Sequence, residues 1–211
     1  MLTKRTKIDG LGEVGESSGN MLTNVRELGE LISVRDEAYA RIHSDIGRTY
    51  GIRVSMVVSY LKGEAPVFVK NGMTAELARY LLCASPNFLD THSSKQYETV
   101  RTVAEREEKS GVEPAKRRAM ICPSRGNFSM SPMENLAHLE FVLEDLTKSY
   151  FEKNSKRPVT FYPIDASIVD SAKGTILNYI WFAGLDHRST LYGNGNAVNV
   201  GCRTRGVLKR D

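Results

Sequence analysis

The sequence predicts a mainly helical protein, with an α+β arrangement as the alternative, and three observations carry that expectation. Apolar residues recur at helical spacing over long stretches, one serine–proline helix start is well formed, and the strand-like runs are short. The longest pattern covers 24–50, where Val25, Leu28, Ile32, Tyr39, Ile42, Ile46 and Tyr50 fall three, four or seven apart and share one helical face. Thr23 or Asn24 supplies its cap, and Gly51 suits the left-handed position just beyond its end.

Further elements follow in order. A helix near 74–84 starts at Thr74, turns Leu77, Tyr80 and Leu81 inward, and stops at Ser85-Pro86-Asn87. The spacing predicts another over 95–109, with Tyr97, Val100 and Ala104 inward. Ser131-Pro132-Met133-Glu134 reads as cap, first-turn proline and capping box for a helix at 131–151, whose Leu136, Leu139, Leu143, Leu146 and Tyr150 form an apolar seam. After a short strand at 159–162, a last helix is expected over 166–183, burying Ile168, Val169, Ala172, Ile176, Ile180 and Trp181. Short β-hairpins are the competing reading at 52–70, where β-branched residues crowd together, and at 190–200, where Asn194-Gly195 is a turn dipeptide.

These elements suggest a flexible polar arm at 1–22, a helical N-terminal region at 23–110, a linker-like stretch at 111–130, a helical region at 131–200 and a basic tail at 201–211. Lys4, Arg5 and Lys7 lead into Gly, Glu and Ser instead of an apolar run, so a cytoplasmic or intracellular, non-secreted protein is expected. No apolar run reaches the roughly 18–20 residues that cross a bilayer, so no membrane partner is expected. Cys83, Cys122 and Cys202 are odd in number and far apart, giving neither a disulfide framework nor a zinc pattern.

The net charge of +4 is mild but unevenly spread. Lys116, Arg117 and Arg118 make one basic cluster; Arg203, Arg205, Lys209 and Arg210 make another, and both have the chemistry to follow a phosphate backbone. Residues 43–62 also fit helix-turn-helix spacing. Ile46, Tyr50, Ile52, Val57 and Tyr60 occupy the apolar sites, Gly47 the small site and Gly51 the turn. Leu61-Lys62-Gly63-Glu64 resembles the end of a recognition helix in phage-repressor-like regulators, and 75–89 looks like a later helix of that family. The resemblance spans about a third of the chain and implies that Arg53, Ser55, Ser59 and Lys62 face DNA. Val54 and Val58 on that same face, and the unbroken helix before His43, depart from the pattern; a β-hairpin accounts for both departures, and the two readings stand level.

Enzyme chemistry finds little support. There is no phosphate loop and no nucleophile elbow, and Gly193-Asn194-Gly195 lacks the setting of a dinucleotide site. Glu134 and His138 lie one turn apart but lack further ligands, and Asp186-His187 is a general-base pair without an assignable nucleophile. No cofactor and no metal are expected. Two functions remain: a non-enzymatic, oligomeric nucleic-acid-binding protein acting through 53–62 and the basic tail, or a self-assembling coat, filament or particle subunit that exchanges its termini.

Overall fold

Ile52–Tyr60, the segment on which the two readings disagree, is a β-strand. Its sequence, IRVSMVVSY, is rich in β-branched and aromatic residues, which favour a pleated, packed surface. Val54, Met56, Val58 and Tyr60 face the main core, and Ser55, Val57 and Ser59 on the other face are buried as well. A strand covered on both faces shows no polar alternation. That explains why the same residues also satisfy a helical template.

The computed structural model describes residues 11–15, 30–43, 52–72, 89–91, 93–183, 189–194 and 203–207. Among them the strands are β1 (Leu11–Gly15), β2 (Glu30–Leu31), β3 (Ile52–Tyr60), β4 (Val67–Val69), β5 (Leu89–Thr91), β6 (Ala119–Ile121), β7 (Phe128–Met130), β8 (Val159–Tyr162), β9 (Thr175–Phe182), β10 (Thr190–Tyr192) and β11 (Arg203–Val207). The helices are α1 (Val34–His43), α2 (Lys95–Lys109), α3 (Leu136–Leu143), α4 (Thr147–Lys153) and α5 (Ala166–Ser171), with 3-10 turns at Pro114–Lys116 and Glu144–Leu146. All the strands join one mixed sheet ordered β1-β11-β3-β9-β10-β8-β7, with β2, β4, β5 and β6 as branches. The β3–β11 and β8–β10 pairs are parallel, and the other pairs are antiparallel.

This is an α+β fold, and it corrects the mainly helical expectation in several places. The helix expected over 24–50 is confined, among the described residues, to α1, with β2 in front of it; 44–50 lie outside them, as does the helix expected near 74–84. Residues 131–151 are not one helix. Ser131 Oγ accepts from the Glu134 amide at 3.0 Å, but this closes a separate turn, and α3 begins only after Asn135 at φ 55°. The chain breaks again at Glu144 (φ 55°, ψ −128°) before α4. Residues 166–183 are α5 followed by strand β9, with Asp165 Oδ1 capping α5 through the Ser167 amide at 2.8 Å. The helix over 95–109 is α2. The 52–70 hairpin is β3 and β4, paired Val57–Val69, Val58–Phe68 and Ser59–Val67. Residues 111–130, expected to be linker-like, carry a 3-10 turn and the paired strands β6 and β7.

The main core lies between the inner face of the sheet and α1, α3 and α4. Phe161 is its aromatic centre, edge-on to Phe68 at 4.7 Å between centroids and 5.5 Å from Phe128. A second cluster forms where Tyr97 and Ala104 of α2 pack on Val67 of β4 and Ala119 of β6. One charged pair is sealed within the fold: Arg41 and Glu37 of α1, both with no exposed surface, bond at 2.7 Å. Arg41 also donates to the carbonyls of Ala183 and Phe182, and its guanidinium lies 3.9 Å from the Phe182 ring centroid. In this way α1 is fastened to the end of β9.

Candidate binding surface

On the outer face of the sheet, strands β8, β10 and β9 carry three aromatic residues at one level. Tyr162 is the register partner of Tyr192, and Tyr192 is the partner of Trp181. Their rings stand 5.3 Å and 5.2 Å apart at small interplanar angles, so they form a row across three strands. Each is half-buried, whereas their strand neighbours Phe161, Leu191, Ile180 and Phe182 are wholly inside. Strand alternation explains this, because successive side chains point to opposite faces. The Trp181 indole N–H and the Thr190 hydroxyl on the same face are buried with no hydrogen-bond partner among the described residues. A buried donor of that kind is costly to leave unfilled.

The row is held from beneath. The Gly193 amide donates to the Tyr162 carbonyl at 2.8 Å, and its own carbonyl accepts from Tyr60 Oη at 2.9 Å and Asn178 Nδ2 at 2.7 Å. Burial pushes the Tyr60 hydroxyl well above the ordinary phenol range, so it stays protonated and donates. A Cβ at Gly193 would stand 2.5 Å from Tyr60 Oη and 2.8 Å from the Phe161 ring. Gly193→Ala is therefore expected to lose about 1–3 kcal/mol through overpacking, read as a lower urea midpoint at unchanged slope. An unchanged midpoint would mean that the strand end shifts freely. At the other end of β10, Ser189 accepts at its hydroxyl from Asn154 Nδ2, shares a 2.9 Å bond with Tyr150 Oη, and accepts at its carbonyl from the Thr160 amide.

The residues singled out from sequence lie elsewhere. Ser55 and Ser59 are buried within β3, Ser55 donating to Asn71 Oδ1 at 3.0 Å, so neither can read a base. Val54 and Val58 are core residues. Lys62 is exposed in the turn after β3. Arg53 is opposite Trp181 and Thr204 in register, and Arg203 and Arg205 belong to β11; the side chains of all three lie outside the described residues, as do Lys209 and Arg210. Lys116 pairs with Glu113 at 2.7 Å and Arg118 with Glu107 at 2.7 Å, while Arg117 lies 3.7 Å from Glu108.

The dismissed metal pair is equally ordinary. His138 Nε2 donates to the Ile121 carbonyl at 2.9 Å, and burial holds its imidazole below the usual histidine range. No group of three metal-ligating side chains occurs among the described residues. The Cys122 thiol is buried and pushed up, which makes it a poor nucleophile. Asp186, His187 and Arg188 lie outside the described residues, as do Cys83 and Cys202. No helix among the described residues is long and apolar enough to cross a membrane.

The fold is that of the C-type lectins. A solved structure described as "Accommodation of massive sequence variation in Nanoarchaeota by the C-type lectin fold" matches 100% of this chain and 100% of its own, with a TM-score of 0.59 at 12% identity. No protein-family model and no curated protein matches the chain. This fold overturns the expectation of a helix-turn-helix nucleic-acid-binding protein. The helix-turn-helix does not exist, because its second helix is the sheet strand β3. Two of the four features behind the structural-subunit reading change as well: among the described residues the spine helix is the ten-residue α1, and the leucine seam is divided between α3 and α4, with Leu139, Leu143, Leu146 and Tyr150 buried within the same chain, while most of the polar arm and of the tail lies outside the described residues.

Nothing in sequence spacing marks the aromatic row. Tyr162, Trp181 and Tyr192 come from separate segments and meet only because β10 lies between β8 and β9.

Proposed function

We propose that this chain is a non-enzymatic recognition protein that binds a protein ligand through the outer face of β8, β10 and β9. The observation that carries the reading is the row Tyr162–Tyr192–Trp181, partly exposed on a braced sheet. Tyrosine and tryptophan are the usual anchors of protein interfaces, giving large contact area at low entropic cost. A row spread across three neighbouring strands suits a macromolecular partner. The shared fold at 12% identity adds support, because this scaffold keeps its shape while nearly every side chain changes.

Trp181 is the single tryptophan of the chain, so its emission reports on this surface alone. The test places a photo-crosslinking amino acid at position 162 or 192, and in a control at exposed Ile168 of α5, in cells of the source organism. Adducts with a defined protein are expected from 162 and 192 and not from 168. The recovered protein is expected to shift Trp181 emission, and Tyr192→Ala is expected to weaken its binding by about tenfold or more. Equal adducts from all three positions, or binding indifferent to Tyr192→Ala, would refute the assignment.

A further inference from the structure

A cavity of about 510 Å3 opens between β4, α2 and the 3-10 turn at Pro114–Lys116, and no residue of the aromatic row lines it. Its walls are of two kinds. Val69, Val100 and Val103 make an apolar side, while Lys70, Lys116, Arg117 and Arg118 bring positive charge against the one lining carboxylate, Glu144. Cavities of roughly 300–1,000 Å3 with apolar walls and a few polar groups are the usual form of small-molecule sites.

Arg117 is the unusual member of this wall. Its side chain is only 12% exposed, yet among the described residues it makes one hydrogen bond, from Nε to the Val112 carbonyl at 2.8 Å. Glu108 Oε1, at 3.7 Å from its terminal nitrogen, is beyond hydrogen-bond reach. A guanidinium presents a rigid fork that fits a carboxylate through two parallel bonds. Here the guanidinium is nearly buried, holds protein by one hydrogen bond and one long ion contact, and belongs to a residue of the cavity wall.

Lys70 is satisfied differently. Its ammonium, on a side chain 14% exposed, donates to the Ala115 carbonyl at 2.6 Å and to Glu144 Oε1 at 2.8 Å. Glu144 makes that bond from a backbone at φ 55°, ψ −128°, and Asn71, also in the wall, stands at φ 50°. Side-chain-bearing residues rarely adopt such angles, and they gather at ligand sites and switches.

We propose that this cavity binds a small organic anion, its carboxylate seated on the Arg117 fork and its apolar body against Val100 and Val103. Glu144 neutralises Lys70 and repels the arriving anion, so it sets the affinity. The inference stands apart from the aromatic surface, and failure of either leaves the other unchanged.

Methyl NMR titration of the intact chain tests it with three probes: 4-phenylbutyrate, the neutral 4-phenylbutanol and inorganic phosphate. Saturable shifts of the Val100 and Val103 methyls are expected with the acid, and binding about tenfold weaker or less with the alcohol and with phosphate. Arg117→Gln is expected to weaken the acid by about tenfold, Arg117→Lys to recover only part, and Glu144→Gln to strengthen it several-fold. Val103→Trp fills the apolar side without touching a charge and is expected to abolish the shifts, which keeps the test sound if an Arg117 variant fails to fold. The proposal is overturned if acid and alcohol bind alike, if phosphate binds as well as the acid, if the acid leaves these methyls unmoved, or if folded Arg117→Gln binds normally.

Discussion

Replacing Arg41 by alanine is expected to cost about 3–5 kcal/mol, the range found when one partner of a buried ion pair is removed. Both Arg41 and Glu37 are fully buried, so the variant leaves a carboxylate inside without its cation. It also strips a donor from the carbonyls of Ala183 and Phe182 and removes the cation from the Phe182 ring. Urea unfolding followed by Trp181 emission measures the loss. The paired replacement Glu37→Gln with Arg41→Met separates the two contributions. It removes the stranded charge, so stability should recover in part, but the two carbonyls still lack their donor at about 1–3 kcal/mol for a buried unsatisfied group. Full recovery would mean that the guanidinium serves only Glu37. No recovery would mean that its chief task is holding the end of β9, one residue beyond Trp181.

That same pair explains the largest misreading of the sequence. A hydrophobicity pattern assumes that the inward face of a helix is apolar, and it places Tyr39 and Ile42 inward in α1, of which Ile42 does pack against the core. The inward face is instead Val34, Glu37, Ala38 and Arg41, spaced three and four apart, and Tyr39 is 45% exposed. The periodicity was real, but the face was rotated by an ion pair that looks solvated in one dimension. The second misreading, 166–183, has another cause. Ile176 and Ile180 fit a helical face with Ile168 and Val169, and they fit a strand with Asn178 and Phe182 equally well. Because Leu177 and Tyr179 on the other side of β9 are buried too, the polar alternation that would have revealed a strand is missing. Where one face is packed and the other wet, as in α2, the pattern is legible and the helix lies where spacing places it.

The candidate surface was illegible for a topological reason. Tyr162 belongs to a strand that the sequence does suggest, and Tyr192 to a hairpin-like run, yet Trp181 reads as a buried helical residue. Their adjacency depends on β10 pairing parallel to β8 and antiparallel to β9, a long-range choice that no local spacing encodes. The basic clusters posed the opposite problem. They are conspicuous in sequence, but Lys116 and Arg118 meet carboxylates three and eleven residues away, Arg117 stands 3.7 Å from Glu108, and the side chains of the second cluster lie outside the described residues.

Neighbouring residues on β8 then allow a sharp division between fold and function. Phe161→Ala is expected to lose about 3–5 kcal/mol, the usual cost of emptying a buried phenylalanine site, because its fully buried ring meets Phe68 and Phe128 and lies beneath Gly193. Tyr162→Ala, one residue on, removes a partly exposed ring stacked on Tyr192, so its stability cost should stay near the roughly 0.5–1.5 kcal/mol of an aromatic pair beyond a modest burial loss. Its effect should appear in binding instead, as a loss of about tenfold or more for the crosslinked protein ligand. Urea midpoints and affinity measured on the same two variants decide the matter. If Tyr162→Ala unfolds the chain as readily as Phe161→Ala, the row is a second core and not a contact surface. If Phe161→Ala remains folded with full stability, the sheet does not depend on its aromatic centre, and the rigidity claimed for the row above it has no foundation.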